Sequence, residues 1–310
     1  MSLIEPIELK DLEQQILAAS SVSSEILQQD LKLQEAIVRC LRYLEQGKIR
    51  VISPENLDAN CGSVSLAGDL QSLNIHPWVK QSILLAMRWR SVKAMHLPFA
   101  HEQPPSQGRI HASSLSYCDK FDVRSDLYQS HVRVVPNAIV REGAYVAPGV
   151  ILMPSFVNIG AWVGEGTLVD TWATVGSCAQ IGNNVHLSGG VGIGGVLEPV
   201  SASPVVVGDN AFIGSRSILV EGIRVGSGAV LAANVCITAS TPIYDMTRDK
   251  VTEYRGFVPP NAVVAPGTRA KKFPGGEVNL QCAYIISYRN EKTDAKVSLN
   301  QILRETGIPV

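Results

Sequence analysis

The chain has 310 residues, enough for one large domain or two smaller ones around a substantial buried core. Apolar residues make up 45% and charged residues 18%, an ordinary globular balance, and the formal net charge is −1. So even a balance argues against a partner recognised by charge alone, such as nucleic acid or an anionic membrane surface. No apolar run approaches the ~18–20 residues that span a bilayer. The opening stretch MSLIEPIELKDLEQQ lacks a basic-then-apolar export signal, so a cytoplasmic protein is expected.

Residues 1–105 read as an N-terminal helical domain. SSEILQQDLKLQEAIVRCLRYLEQGK sets Ile26, Leu27, Leu31, Leu33, Ile37, Leu41 and Leu44 near a 3.6-residue period. With serine at its start and Gly47 at its end, it predicts one helix. HPWVKQSILLAMRW predicts a second, short and apolar. The following Pro-, Ser- and Asp-rich stretch, residues 106–132, reads as a connecting segment. Six cysteines (Cys40, Cys61, Cys118, Cys178, Cys236 and Cys282) contain no C-x-x-C pair, so they predict buried reduced thiols rather than a disulfide framework or zinc ribbon.

From about residue 133 the pattern changes. Steps of six from Ile139 give Tyr145, Ile151, Val157, Val163, Val169, Val175, Ile181, Leu187 and Ile193, all apolar. The residue four beyond each is generally small, as at Gly143, Ala161 and Ala173, and the residue just after is often glycine, as at Gly164, Gly176, Gly182 and Gly194. A non-periodic stretch that opens with GVLEPVSASPV intervenes at 195–206. The six-step then resumes at Val207, Ile213, Leu219, Val225, Leu231, Ile237 and Ile243. A period of six fits neither an amphipathic helix nor a hairpin; it is the hexapeptide repeat of a parallel β-helix, expected over 133–265. VPPNAVVAPGTRAKKF, residues 258–273, reads as one last coil running into a basic patch, and residues 266–310 as a C-terminal strand and helix region. CAYIISYR reads as a strand, and KVSLNQILRE as a terminal helix capped by Ser298.

The fold class alone assigns no chemistry. Asp170 holds the slot after an inward aliphatic, where a carboxylate either caps the corner through backbone N–H groups or serves a substrate. Arg133 opens the first coil, and Arg216 is a second arginine within the repeats; either is a solvated surface group or a partner for a carboxylate. His186 reads as a structural or interface residue before a base. Lys271 and Lys272 are either a solvated pair or phosphate contacts at the open end of the coil stack. Only His131 and His186 lie in or beside the repeats, too few for a three-histidine metal site, and no metal is expected. A sugar-nucleotide transferase would carry a Gly-rich phosphate loop that residues 1–105 lack.

RVVPNAIVREGAYVAPGVILMPSFVNIGAWVGEGTLVDTWATVGSCAQIGNNVHLSGGVGIGGVLEP resembles the core of the tetrahydrodipicolinate N-succinyltransferase family. FIGSRSILVEG, WVKQSILL and KVSLNQILRE extend the resemblance over roughly residues 75–310. It implies a left-handed β-helix, with the handedness supplied by the resemblance alone, and a homotrimer. It further implies succinyl transfer from succinyl-CoA to the amino group of tetrahydrodipicolinate, on the diaminopimelate route to lysine. The Asp of DTW, Asp170, and the Arg of RVVP, Arg133, are the implied substrate contacts. The family's second acid falls where this chain has Ile218, a departure that leaves Glu221 as the candidate second catalytic carboxylate beside Asp170. Arg216, Ser188, Gly189 and the neighbouring Gly190 are expected to line the substrate cleft. Lys271, Lys272, Ala233 and Thr238 are expected to contact the coenzyme A, a co-substrate and not a tightly bound cofactor. The alternative is another hexapeptide CoA-dependent acyltransferase with an acetyl donor or a different amine acceptor.

Overall fold

The computed structural model describes residues 4–55, 57–62, 64–68, 70–98 and 114–289. Its centre is a left-handed parallel β-helix whose two-residue strands stack into three faces. The first face runs through Ile139–Val140, Phe156–Val157, Thr174–Val175, Gly192–Ile193, Ile218–Leu219 and Cys236–Ile237. The second runs through Tyr145–Val146, Trp162–Val163, Gln180–Ile181, Val206–Val207, Arg224–Val225 and Phe257–Val258. The third begins at Arg133–Val134 and continues through Ile151–Leu152, Leu168–Val169, His186–Leu187, Phe212–Ile213 and Val230–Leu231 into the long strand Ala262–Phe273.

In nearly every strand the second residue points inward. From Val140 through Ile237 these residues are at most 2% exposed, and their stacked side chains form one continuous core. This corrects the start of the six-step. Ile139, Tyr145 and Ile151 are the outward residues of their strands, and the inward ladder is Val140, Val146 and Leu152. The register then jumps by five to Val157, because the corner Met153–Ser155 is one residue shorter than the others. Adjacent aliphatics (Ile139–Val140, Ile151–Leu152) hide the slip in the sequence. Ile243 is a second correction. It is buried, but in a hairpin outside the coils, Ile243–Asp245 against Thr252–Tyr254; the ladder itself continues at Val258 and Val264.

The glycines that follow inward aliphatics serve close approach rather than torsion. A Cβ on Gly176 would fall 2.6 Å from Gly195 Cα and closer still to its nitrogen, in the coil above. The left-handed corner positions lie elsewhere and include the non-glycine residues Trp172, Arg216 and Glu221, at φ near +60°.

Four helices precede the coils: α1 (Pro6–Ser20), α2 (Ser24–Gln29), α3 (Leu31–Glu45) and α4 (Pro77–Trp89). The single helix expected over 23–47 is broken in two. Asp30 ends α2 and caps α3, its Oδ1 accepting from Lys32 N–H at 3.0 Å and Leu33 N–H at 3.1 Å. The connecting segment is also more ordered than its composition suggests, since Ser114–Asp119 pairs antiparallel with Lys93–Pro98. The N-terminal core packs onto the second face, taking in Ile159, Cys178 and Val206. Polar contacts tie the two together: Arg50 Nε donates to Gln180 Oε1 at 3.0 Å, and Lys80 Nζ to the Ala202 carbonyl at 2.6 Å. Trp162, the outward residue of its strand, is thereby only 5% exposed, with the Arg50 guanidinium 4.1 Å from its ring centre.

The basic stretch after the last coil is one arm of a long hairpin, Ala262–Phe273 against Gly276–Tyr288. The terminal helix expected at 296–305, with its Ser298 cap, lies outside the described residues. Four cysteines are buried as expected, whereas Cys236 is half-buried and Cys118 exposed, and all six are free. Among the described residues no helix is long and apolar enough to cross a membrane, and no group of His, Cys, Asp or Glu could hold a metal ion.

Candidate active site

Corners of a coiled prism stack as its faces do, and the edge between the third and first faces gathers several of the expected residues. Successive coils place Asp170–Thr171–Trp172, Ser188–Gly189–Gly190, Gly214–Ser215–Arg216 and Ala232–Ala233–Asn234 above one another. A backbone ladder holds them together. Gly190 N–H donates to the Thr171 carbonyl at 2.8 Å, Arg216 N–H to Gly189 at 3.0 Å, and Asn234 N–H to Ser215 at 3.0 Å. The N–H groups of Gly189, Ser215 and Ala233 take no part in it and find no partner among the described residues, leaving three donors at the same corner position of successive coils.

Asp170 is half-buried, and its two oxygens have different surroundings. Oδ1 accepts from Thr171 N–H at 2.6 Å and from Thr171 Oγ1 at 3.2 Å, a corner cap. Oδ2 has no donor among the described residues and faces Gly189, where a Cβ would stand 4.0 Å away. The carboxylate is therefore both structural and available. Arg216 Cγ lies over Gly190, 3.3 Å from where a Cβ would be, so the glycine admits the arginine stem to the same edge. Trp172 stands out beside them, 73% exposed. Thr171, which orients Asp170, is the residue sequence reasoning passed over; its signal was its place inside DTW.

The remaining candidates lie elsewhere. Arg133 is exposed on the first strand of the third face, two coils from Asp170, or about 10 Å along the axis at the usual strand spacing. Glu221 and Thr238 sit on another edge, between the first and second faces, so one chain does not bring Glu221 beside Asp170. Residues share an edge only when whole coils separate them. Ile218 points outward on the first face and fills the space above Gly192, where a Cβ would come within 2.7 Å of its Cδ1. The His186 ring packs against Phe212 on the third face, centroids 5.0 Å apart. Lys271 and Lys272 are exposed near the tip of the long hairpin, paired with Val278 and Glu277, rather than on the end of the coil stack. The Lys271 ammonium lies 5.2 Å from the Phe273 ring centre.

Residues 204–239 match a family model described as the hexapeptide repeat of succinyl-transferase. A protein from Coxiella burnetii (strain Dugway 5J108-111) is 43% identical over 276 residues, covering 88% of this chain and 90% of its own. One from Ehrlichia ruminantium (strain Gardel) is 45% identical over 268 residues, 84% of each chain. One from Zymomonas mobilis is 44% identical over 274 residues, 87% of this chain and 89% of its own. All three are named 2,3,4,5-tetrahydropyridine-2,6-dicarboxylate N-succinyltransferase. The chain belongs to this family.

The N-succinyltransferase match is longer than the segment from residue 75 onward that carries the sequence motifs, so it also takes in part of the N-terminal domain. The edge carrying Asp170 is one that the described residues of the N-terminal domain leave open, with Trp172 exposed on it.

Proposed function

We propose that this protein transfers succinyl from succinyl-CoA to the amino group of tetrahydrodipicolinate. Water adds across the C=N bond of the cyclic imine and opens the ring, which frees the amine and leaves the 6-oxo group, so the product is N-succinyl-2-amino-6-oxopimelate, on the diaminopimelate route to lysine. The observation that carries the reading beyond family membership is the edge on which Asp170 Oδ2, the free N–H of Gly189 and the Arg216 side chain lie on neighbouring coils. A neutral amine nitrogen attacks the thioester carbonyl, and the C–N bond forms as charge collects on the carbonyl oxygen. The C–S bond then breaks, releasing CoA as thiolate. Asp170 Oδ2 accepts the proton the nitrogen sheds, a role worth about 10²–10⁴-fold for a positioned base, and the thiolate is protonated on release. Gly189 N–H, one coil from Asp170, suits the oxyanion, and the N–H groups of Ser215 and Ala233, two and three coils away, suit amides of the pantetheine arm. Arg216 and Arg133 suit a dicarboxylate acceptor, since a guanidinium binds carboxylate in bidentate fashion. Glu221, Thr238 and the hairpin lysines, Lys271 and Lys272, join this edge only through a neighbouring copy.

That last point leads to a homotrimer with sites between subunits. The first and third faces lack the cover that the N-terminal domain gives the second, and Trp172 stands exposed on the edge between them. Six unpaired thiols fit a reducing, cytoplasmic setting. The test is thiol release with succinyl-CoA and with acetyl-CoA, each with and without the dicarboxylate acceptor. Release that depends on both succinyl-CoA and the acceptor supports the reading; equal efficiency with acetyl-CoA assigns a different acyltransferase. Light scattering at micromolar concentration that gives a monomer removes the shared site.

A further inference from the structure

The N-terminal domain holds a cavity of about 550 Å³ between α1, α3 and the end of α4, remote from the coil edge described above. Its size falls within the ordinary range for small-molecule sites, about 300–1,000 Å³. Its wall is chemically uneven. Lys32, Arg39 and Arg42 line it against one acid, Glu35, and none of the three cations forms an ion pair among the described residues. Trp89 closes one side, half-buried, and Ala36 forms an apolar floor at 1% exposure.

The decisive atom is Arg39 Nε. The guanidinium is anchored at one end, Nη2 donating to Gln15 Oε1 at 3.1 Å, while Nε is buried with no hydrogen-bond partner. A buried N–H of a charged group left unpaired is costly, and such groups in native proteins generally point to an absent ligand or water. Net positive charge, an unpaired guanidinium edge and an indole are the complement of a ring bearing an anionic group: the cations take carboxylate or phosphate, and the indole takes the ring face.

We propose that this cavity is a second ligand site, separate from the acyl-transfer edge, for a small planar-ring anion. The anchored Arg39 and the exposed Arg42 and Lys32 hold the charge while Trp89 stacks on the ring. Succinyl transfer needs none of these side chains.

The experiment is a calorimetric titration of the full chain with AMP and with 4-hydroxybenzoate, which separate a phosphate from a carboxylate source, and with adenosine as the uncharged ring. Saturating CoA is present throughout, so that the co-substrate's own nucleotide site is filled. At least one of the two anions should bind saturably at about millimolar or tighter, with adenosine at least about tenfold weaker, one charge-assisted contact's worth. Arg39→Gln and, separately, the exposed Arg42→Gln should each weaken it about tenfold or more. Arg42→Gln should leave succinyl transfer unchanged and so serves if Arg39→Gln does not fold. The proposal is overturned if neither anion binds saturably with CoA present. It is equally overturned if adenosine matches the anions, or if the folded Arg42→Gln protein binds as wild type does.

Discussion

Replacing Asp170 with asparagine separates its corner cap from the proton-acceptor role proposed for it. Asn keeps Oδ1 as an acceptor for Thr171 N–H, now at 2.6 Å, and for the Thr171 hydroxyl. What the fold loses is charge assistance, the difference between roughly 1.5–3 and roughly 0.5–1.5 kcal/mol for such a bond, or about 1 kcal/mol. In a chain of this size that moves Tm by about 2–4 °C or less. What catalysis loses is the proton acceptor at Oδ2, because an amide cannot take the ammonium proton; turnover should fall about 10²–10⁴-fold, or roughly 3–5 kcal/mol of barrier. The two effects differ enough to be read separately, by acceptor-dependent thiol release and by a circular-dichroism melt. If Asp170→Asn turns over within about threefold of wild type, far less than a lost base would cost, with an unchanged melt, then Asp170 is a corner cap only and the catalytic role fails.

Other consequences follow from particular contacts. Ile218→Glu, on the outward first face above Gly192, should fold and partly restore Asp170→Asn turnover in the same assay; no rescue would make Ile218 simply an apolar wall. Gly176→Ala should destabilise by at least the roughly 1–3 kcal/mol of ordinary overpacking, because its Cβ meets the backbone of Gly195 rather than a flexible side chain, and denaturant melts check this. Asp245 predicts an acid-labile fold. Burial pushes its carboxyl up, but hydrogen bonds from Thr247 and Tyr288, with Arg248 nearby, outweigh burial and hold it below the usual carboxylate range. A depressed folded value stabilises above the unfolded pKa of about 4, and that stability drains as pH falls through the folded value. Wild type should therefore lose more Tm between neutral pH and about pH 3 than Asp245→Asn does. Burial raises the Cys40 and Cys178 thiols to about 12, so a thiol reagent should modify the exposed Cys118 and leave those two untouched in the native protein, as peptide mapping would report.

The coils were legible because a period of six has no competing explanation. What was not legible is instructive at Leu152. Where two aliphatics are adjacent, periodicity cannot say which points inward, and a corner shortened by one residue left no mark until the strands paired as Ile151 with Leu168 and Leu152 with Val169. The break at Asp30 was hidden for the opposite reason. The apolar spacing on both sides was good, and only the preference of Asp for capping argued for a stop. Trp162 illustrates a third kind of silence: an outward aromatic on a repeat looks like interface, and nothing in its neighbourhood says that residue 50 will lie across it.

The site was partly legible for a geometric reason. Inward positions recur every six residues, but edges recur only with each full coil, so a functional column requires spacings of whole coils. Asp170 and Ser188 meet that condition directly, and Ser188 and Gly214 do not, because residues 194–205 intervene. The pairing of His186 with Phe212 on one side and Gly192 with Ile218 on the other keeps the column in line across that insertion. It does so because the chain leaves the stack after Ile193 on the first face and returns at Val206 on the second. The insertion thus spends its length on the edge that carries Glu221 and Thr238 and leaves the edge that carries Asp170 unbroken. The loop reaches instead toward the N-terminal domain, where Lys80 of α4 binds the Ala202 carbonyl. The insertion and the helical domain are placed against each other, while the coils from Asp170 up to Ala233 keep an uninterrupted edge.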